Sequence, residues 1–325
     1  MQKRKPYSLL LPLLLPLLFF TNCTQQKKPT DKQIPHVAFL DFVDDGTLAK
    51  ARQGFIDALT ENGFIKDSNY VWDYLNAQGD QPTLIQACQS LLSKKPELIA
   101  TCPTLASITA VQNTKTTPVF MMVSPSPDDA RLLDKSGKAP ANLFGVYETL
   151  GYIDTSVTMI KTLLPKIKSL GVIYNQSEQQ SVNAYDVVKA ACERNDIELK
   201  SLPVNNSSES QLVTQALLNK GVDAFFAMPD NVIFQSFETI VESCNKANVP
   251  VFTSEAGLVS RGAVAGYGAD MYSWGHQAGE QAAQLLKTKT TTGLHPEAVK
   301  IRKRVYNEAQ AKKFGIVVDA SFEKM

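Results

Sequence analysis

Histidine and cysteine, the side chains that most often bind metals or act as catalytic bases and nucleophiles, are scarce in this chain of 325 residues. The sequence contains 3 histidines and 5 cysteines. The histidines lie far apart, with no neighbours that mark a base or a metal ligand: His36, His276 and His295. No C-x-x-C spacing links the cysteines, so zinc is not indicated. In an exported protein, a disulfide between Cys88 and Cys102 and two buried free thiols are both compatible with the sequence.

The sequence also lacks a large net charge and the sequence motifs of common enzyme families. The net charge is +1 at pH 7, so the basic surface of a nucleic-acid-binding protein is not expected. The sequence has no Walker A loop, no G-x-G-x-x-G after a strand, no G-x-S-x-G elbow and no H-E-x-x-H. These absences give no indication of an enzyme, and we expect neither a cofactor nor a metal. A secreted hydrolase stays an alternative that only turnover of a substrate would favour.

The N-terminus has the pattern of an export signal. Lys3–Lys5 are basic, and the apolar run Leu9–Phe20 is too short to span a membrane and contains two prolines. Phe20–Cys23 looks like the lipobox of bacterial lipoproteins, although Asn22 replaces the usual small residue. We therefore predict lipidation at Cys23, with an ordinary secretory signal and an incidental cysteine as the alternative.

The predicted processing divides the chain into a leader, a tether and a folded part. Residues 1–22 would be the signal peptide, and residues 23–35 are polar and without periodicity, as in a flexible tether. The rest is long enough for two domains, and the apolar fraction of 44% is that of a globular protein.

Strands alternate with helices throughout the folded part. His36–Phe42 is apolar and precedes a polar loop and a helix, and Leu170–Tyr174 opens the same pattern again. This alternation predicts parallel sheets built from βαβ units. We interpret the two openings as the starts of two similar Rossmann-like α/β lobes with a cleft between them.

Polar residues recur where the predicted strands end. In parallel sheets such residues meet at one edge, where small ligands bind. For each residue a helix cap is the alternative, because serine, threonine, aspartate and asparagine favour that position. As a set they suit an amino-acid zwitterion, since helix N-termini attract a carboxylate and acidic side chains attract an ammonium group. The aromatic candidates beside the cleft, each also compatible with the core, are Phe42, Tyr147, Tyr174 and Tyr267.

Residues 36 to about 318 resemble the ABC-transporter substrate-binding protein family that includes the tryptophan-binding, TrpX-like proteins. The stretches that carry the resemblance are Ala51–Leu59, Asn76–Asp80, Lys95–Ile99, Tyr174–Glu178 with Ser181, Pro229–Asn231 and Tyr306–Ile316. The resemblance implies the type I periplasmic-binding-protein fold, with two lobes joined by three crossovers and closed by a hinge. It also implies lobe I at 36–147 with about 257–292, and lobe II at 148–256 with about 293–325.

Matched onto this chain, the resemblance implies a set of ligand contacts: Thr104, Ser124, Asn175, Glu178, Ser181, Asp230, Asn231 and Glu255. Asp230 or Glu255 would pair with the ammonium group. Helix N-termini near Thr104 and Ser181 would hold the carboxylate. The chain departs from the family at 124–127, where Ser-Pro-Ser-Pro replaces a common Asp-Pro, so one anionic contact is absent from the pattern.

The implied function is that of a lipid-anchored, monomeric solute-binding protein facing the periplasm or the exterior. It would deliver an aromatic or hydrophobic amino acid to a membrane permease with its ATPase. Two alternatives remain open: a binder of another small solute such as a nucleoside or sugar, and a ligand-sensing accessory lipoprotein that contacts a receptor.

Overall fold

The computed structural model describes residues 2–3 and 34–325. The predicted signal peptide, Cys23 and nearly all of the predicted tether lie outside the described residues. Between residues 34 and 325, no helix is long and apolar enough to cross a membrane.

The first lobe begins with a strand that is almost entirely buried. Every residue of the first strand except His36 is buried, which is why its sequence is apolar without alternation. The elements in order are β1 (His36–Asp41), α1 (Leu48–Glu61), β2 (Val71–Asn76), α2 (Gln81–Ser93), β3 (Leu98–Cys102), α3 (Thr104–Asn113), β4 (Val119–Met121) and β5 (Leu143–Tyr147).

The second lobe repeats this alternation. Its elements are α4 (Gly151–Leu163), β6 (Ser169–Tyr174), α5 (Gln179–Arg194), β7 (Glu198–Pro203), a 3-10 turn (Ser207–Glu209), α6 (Ser210–Leu218), β8 (Ala224–Ala227), α7 (Asn231–Lys246), β9 (Val251–Thr253), α8 (Ala256–Val259) and β10 (Ala265–Ala269). The chain then forms α9 (Met271–Thr288), β11 (Glu297–Ala298), β12 (Arg302–Tyr306), α10 (Glu308–Lys313) and β13 (Glu323–Lys324).

The strands form two sheets, one in each lobe. The first has the order β11-β5-β4-β3-β1-β2, and the second has the order β13-β12-β10-β9-β8-β6-β7. All pairs are parallel except β10 with β12. The order places the carboxyl ends of β3 and β4 in one lobe, and of β6, β8 and β9 in the other, at the edges where ligands bind in such sheets. The predicted fold, two α/β lobes with parallel sheets, is confirmed.

The chain passes between the lobes three times, as the resemblance implied. It crosses between β5 and α4, between β10 and α9, and between β11 and β12. Two expected bounds require correction. Residues from about 293 were expected in the second lobe, but β11 pairs with β5 in the first sheet, so the chain returns to the second lobe only after β11. The segment at about 257–292 was expected in the first lobe, but β10 pairs with β9 and β12 in the second sheet, and only α9 packs in the first lobe, against α1 and β5. The chain therefore returns from the second lobe to the first at Asp270.

Helices α1 and α9 pack closely because small residues line their contact. A Cβ atom at Gly275 would overlap the carbonyl oxygen of Ala51, and one at Gly54 would overlap the carbonyl oxygen of Tyr272. The two backbones therefore touch, and only glycine fits at these two positions. This contact fixes α9, which follows the second crossover, onto the first lobe.

The described cysteines are free and buried. Cys88, Cys102, Cys192 and Cys244 form no disulfide in this part of the chain. Of the two alternatives for Cys88 and Cys102, the structure has the free thiols, and burial raises the pKa of the Cys88 thiol to about 11. These thiols contribute apolar packing rather than a covalent link.

Candidate functional site

A cavity lies between the lobes at the carboxyl ends of their strands, with about 480 Å³ of empty space that includes its opening to solvent. Five of the ten predicted ligand contacts line it: Thr104, Ser124, Asp230, Asn231 and Glu255. All five are buried. The other five do not line it: Phe42, Tyr147, Asn175, Glu178 and Ser181. The structure thus brings together residues that follow β3, β4, β8 and β9.

Several lining residues were not predicted from the sequence. The main ones are Glu148, Tyr152, Gln180, Phe234 and Trp274. Glu148 lies in the first crossover, Tyr152 follows it on α4, and Trp274 lies on α9 after the second crossover. Apolar periodicity cannot show that these segments run along the cleft. Gln180 could have been found, since it stands between two predicted contacts at the start of α5.

Glu255 contributes a buried carboxylate with one free oxygen. Its Oε1 accepts a hydrogen bond from the Tyr152 hydroxyl at 3.0 Å, while its Oε2 has no partner among residues 34–325. Burial raises the pKa of Glu255 to about 8, and the nearby charge of Glu148 adds to this effect, whereas the bond from Tyr152 lowers it. A buried acceptor without a donor is costly, so this oxygen is suited to a cationic group of a ligand.

Asp230 lines the cavity, but its carboxylate is engaged within the protein. Its Oδ1 accepts from the backbone N–H groups of Val232 at 2.8 Å and Ile233 at 3.2 Å, so it caps α7. Its Oδ2 accepts from the backbone N–H of Asn175 at 2.7 Å and from the Ser181 hydroxyl. Of the two acids that the sequence suggested for the ammonium group, Glu255 is therefore the one with a free oxygen.

Glu178 is buried next to the cavity without lining it, and three side-chain amides surround its carboxylate. Its carboxylate accepts from Asn231 Nδ2 at 2.6 Å, from Asn175 Nδ2 at 3.2 Å and from Gln180 Nε2. Burial raises the pKa of Glu178 to about 8, the charge of Asp230 raises it further, and the three amides oppose both effects. The predicted contacts Asn175, Glu178 and Ser181 therefore support the site from behind.

The first lobe presents a helix N-terminus to the cavity. Helix α3 begins at Thr104 after Pro103, which has no side chain that could cap it. The first N–H groups of a helix bind anions, so this end suits a carboxylate. Val123 nearby has φ of 50°, an uncommon conformation for a β-branched residue that costs about 1–3 kcal/mol. It directs Ser124 towards the cavity, where the Ser124 hydroxyl lacks a partner among the described side chains and backbone groups.

Two contacts tie the crossovers together beside the cavity. Glu148 lies in the first crossover, and Arg302 lies just after the third crossover. The Glu148 carboxylate accepts hydrogen bonds from Arg302 Nε at 2.7 Å and Nη2 at 2.6 Å. The indole N–H of Trp274, after the second crossover, donates to the carbonyl oxygen of Val146 at 2.8 Å. The hinge side of the cavity is therefore held by a bidentate ion pair and a hydrogen bond.

Opposite lobes also touch directly. Arg261 of the second lobe reaches the first, where its Nη1 donates to Asp45 Oδ2 at 2.5 Å and to Thr47 Oγ1 at 3.0 Å. Its Nε is fixed by Glu238 at 2.7 Å. The Asn183 amide donates across the cleft to the carbonyl oxygen of Asp129 at 2.8 Å. Together with the burial of the lining residues, these contacts describe a closed arrangement of the lobes.

Replacing Arg261 by alanine is expected to weaken solute binding by about 1–1.5 kcal/mol, or roughly 5- to 10-fold. Arg261 does not line the cavity. Its loss would lower the population of closed protein, and apparent affinity falls with that population. Titration calorimetry with the solute gives the affinity. Arg194→Ala, which removes an ion pair to Asp154 within the second lobe, is the control. Equal affinities for the two variants would contradict a role for Arg261 in closure.

One group of potential metal ligands occurs among residues 34–325. Glu61, His276 and Glu280 bring their ligand atoms within 4.8 Å of one another on the surface of α1 and α9. His276 Nε2 lies 2.8 Å from Glu61 Oε2, and Asn62 Nδ2 donates to Glu280 Oε1 at 2.8 Å. These contacts account for the cluster without an ion.

The sequence matches a family model described as ABC transporter substrate binding protein over residues 36–324. The chain is also 31% identical over 298 residues to a tyrosine-binding protein of Clostridioides difficile (strain R20291), covering 89% of this chain and 86% of that protein.

Two solved structures are informative because one holds a ligand and the other does not. The ABC domain in complex with L-Trp from Streptococcus pneumoniae has a TM-score of 0.82 at 26% identity, covering 89% of this chain and 99% of that one. The ligand-free, open structure of a substrate-binding protein with adhesive properties from Clostridium difficile has a TM-score of 0.66 at 25% identity, covering 90% and 99%. The higher score to the ligand-bound structure agrees with the closed arrangement of the lobes.

Proposed function

The chain belongs to the family of ABC transporter substrate-binding proteins, and we propose that its solute is an aromatic amino acid held between the two lobes. The observation that carries this proposal is the unpartnered Oε2 of Glu255, a buried acceptor in a cavity that otherwise has mainly apolar walls. Such an oxygen is matched by an ammonium group. Sugars offer hydroxyl groups but no cation, so they would supply no counter-charge for the ionised form of this buried carboxyl group.

The opposite wall of the cavity suits the other end of an amino acid. The uncapped N-terminus of α3 at Thr104 and the free hydroxyl of Ser124 lie in the first lobe, whereas Glu255 lies in the second. A zwitterion would thus contact both lobes at once. Binding that joins the lobes favours the closed state, which is how a solute can drive the hinge.

The apolar wall suits an aromatic side chain. Phe234 and Trp274 line the cavity from opposite lobes together with Val123 and Leu150. Aromatic rings bury large areas and pair favourably edge to face or offset. The identity of the relatives supports the same class, since one is a tyrosine-binding protein and another was solved with L-Trp.

The partners follow from the family and from the N-terminal sequence. Substrate-binding proteins of this family serve ABC transporters, and we propose that this chain works as a monomer, exported and tethered by a lipid on Cys23 on the outer side of the membrane. The basic and apolar run before Cys23 supports this proposal. Mass measurement of the mature N-terminus checks it, because an unmodified cysteine or a cut elsewhere would contradict lipidation.

A thermal-shift screen of residues 24–325 against the twenty amino acids, nucleosides and sugars tests the proposed solute. Tyrosine, tryptophan or phenylalanine at about 100 times its dissociation constant is expected to add about 2.7 kcal/mol of stability. Aliphatic amino acids, nucleosides and sugars are the controls and are expected to give no shift. A shift with a sugar or nucleoside and with no amino acid would overturn the proposal and leave the family intact. A chain that responds to no solute would favour the sensing alternative.

A further inference from the structure

Gln180 is a lining residue that the binding of an amino-acid zwitterion leaves unused. It is the second residue of α5 and is 8% exposed, and its side chain faces the cavity. Its carbonyl oxygen Oε1 has no hydrogen-bond partner among the residues that the structure describes. The cavity therefore holds a second buried acceptor besides Glu255, on a different segment of the second lobe.

The orientation of the Gln180 amide is fixed from behind. Its nitrogen Nε2 donates to Glu178, which also accepts from Asn231 Nδ2 at 2.6 Å and Asn175 Nδ2 at 3.2 Å. An ionised carboxylate only accepts hydrogen bonds, so turning the amide would set its carbonyl oxygen against Glu178. Three converging amide donors favour the ionised form. While Glu178 is ionised, Gln180 can offer the cavity only an acceptor.

Gln180 and Glu255 reach the cavity from elements that are not neighbours. Gln180 follows β6 and Glu255 follows β9, and the sheet order puts β8 between these strands. Two strand spacings of about 4.8 Å separate the backbones of β6 and β9 by roughly 10 Å. Two acceptors that enter from separate elements suit a solute that offers its ammonium group to one and a further donor to the other.

We propose that Gln180 determines which aromatic amino acid binds, by accepting a hydrogen bond from a donor on the ring of the solute. Tyrosine has such a donor in its hydroxyl group and tryptophan in its indole N–H, whereas phenylalanine has none. This inference rests on the proposed function and refines it. A site built to bind a hydroxyl or N–H group discriminates against the analogue without it, because its own buried acceptor is then left unpaired.

The first test compares the three solutes on the unaltered chain by titration calorimetry at a pH of about 8.5, where a group with the raised pKa of Glu178 is mostly ionised. Tyrosine or tryptophan is expected to bind about 10- to 100-fold more tightly than phenylalanine. Phenylalanine binding as tightly as both would overturn the inference while supporting the proposed function. Failure of all three to bind would overturn both.

The second test replaces Gln180 by methionine, which keeps the length of the side chain and removes the acceptor. Tyrosine and tryptophan are expected to lose about 10- to 100-fold in affinity, and phenylalanine is expected to lose none. The control is Gln215→Met, because Gln215 is exposed on α6 of the second lobe and does not line the cavity. Equal weakening of all three solutes by Gln180→Met would contradict the inference, since Gln180 would then contact a part that they share. The comparison on the unaltered chain stands even if this variant does not fold.

Discussion

Replacing Glu255 by glutamine is expected to weaken binding of an amino acid by about 2–3 kcal/mol, or roughly 30- to 150-fold, at a pH of about 8. The substitution keeps the shape of the side chain and removes the charge that faces the ammonium group. Part of the loss arises because the amide leaves the buried ammonium without a counter-charge. Titration calorimetry with the solute that the screen identifies gives the value directly.

The same residue makes binding dependent on pH. Before binding, the pKa of Glu255 is raised to about 8 by burial and by the charge of Glu148, so below this pH the carboxyl group is mostly protonated. An ammonium group favours the ionised form, and binding then releases a proton. Affinity is therefore expected to rise by up to tenfold per pH unit as pH rises towards 8, and to level off above it. Glu255→Gln is expected to remove this dependence.

The stability of the empty protein is expected to change in the opposite direction. The pKa of Glu255 is higher in the folded state, about 8, than the value of about 4.3 in an unfolded chain. Between these values the folded protein holds a proton that the unfolded chain has released. The contribution of Glu255 to stability is thus greatest at low pH and declines as pH rises through this range. Glu178, whose pKa is also raised to about 8, adds to the same trend.

A control separates the effect of the site from a general loss of negative charge. Glu242 is exposed on α7, where it pairs with Lys246 at 2.6 Å, and Glu242→Gln is expected to leave affinity and its pH dependence unchanged. If Glu255→Gln bound the solute as tightly as the unaltered chain at every pH, Glu255 would not be the partner of the ammonium group.

Replacing Gly275 by alanine is expected to lower the free energy of unfolding by about 3 kcal/mol or more. The added methyl group would overlap the carbonyl oxygen of Ala51, and backbone atoms cannot move aside as a flexible side chain can. Helices α1 and α9 would have to separate. For a folded part of this size the melting temperature should fall by about 5 °C or more. The same shift of α9 would displace Trp274, so solute binding should weaken as well.

Gly151→Ala provides the matched comparison, because a Cβ atom there would meet only Thr149 Oγ1, at 3.9 Å. Its effect on stability is expected to stay within about 0.5 kcal/mol. Denaturant unfolding of both variants gives the two free energies. A Gly275→Ala variant as stable as Gly151→Ala would show that the close contact of α1 and α9 is not required.

The alternation of strands and helices was sufficient to predict both lobes, because the strands that begin them, β1 and β6, are buried and largely apolar and each is followed by a polar loop. The place of β10 was not predictable in this way. Ala265–Ala269 is short and apolar, and nothing in such a pattern specifies that it pairs with β9 and β12 rather than with a strand of the first sheet. Pairing depends on where the chain crosses between the lobes, which periodicity does not encode.

The candidate site was predictable where strands end and not elsewhere. Ser124 and Glu255 come shortly after the ends of β4 and β9 and line the cavity. Ser181 also lies beyond a strand end, but it bonds to Asp230 below the cavity. Because the same residue types cap helices and bind ligands, the sequence cannot separate these roles. Tyr152 and Trp274 stand on α4 and α9, the helices that follow the first two crossovers, so no polar residue pattern at a strand end marks them.

The closed arrangement has a kinetic consequence. Every polar residue named in the cavity wall is buried, and Arg261 joins the lobes through Asp45, so we expect a solute as large as an aromatic amino acid to leave when this contact breaks and the lobes separate. The lifetime of the complex is then set by how often the lobes open, which falls as the contacts of the solute to both lobes become stronger. A permease that binds both lobes and separates them would shorten that lifetime. The solute would then dissociate far faster than it does from the free protein.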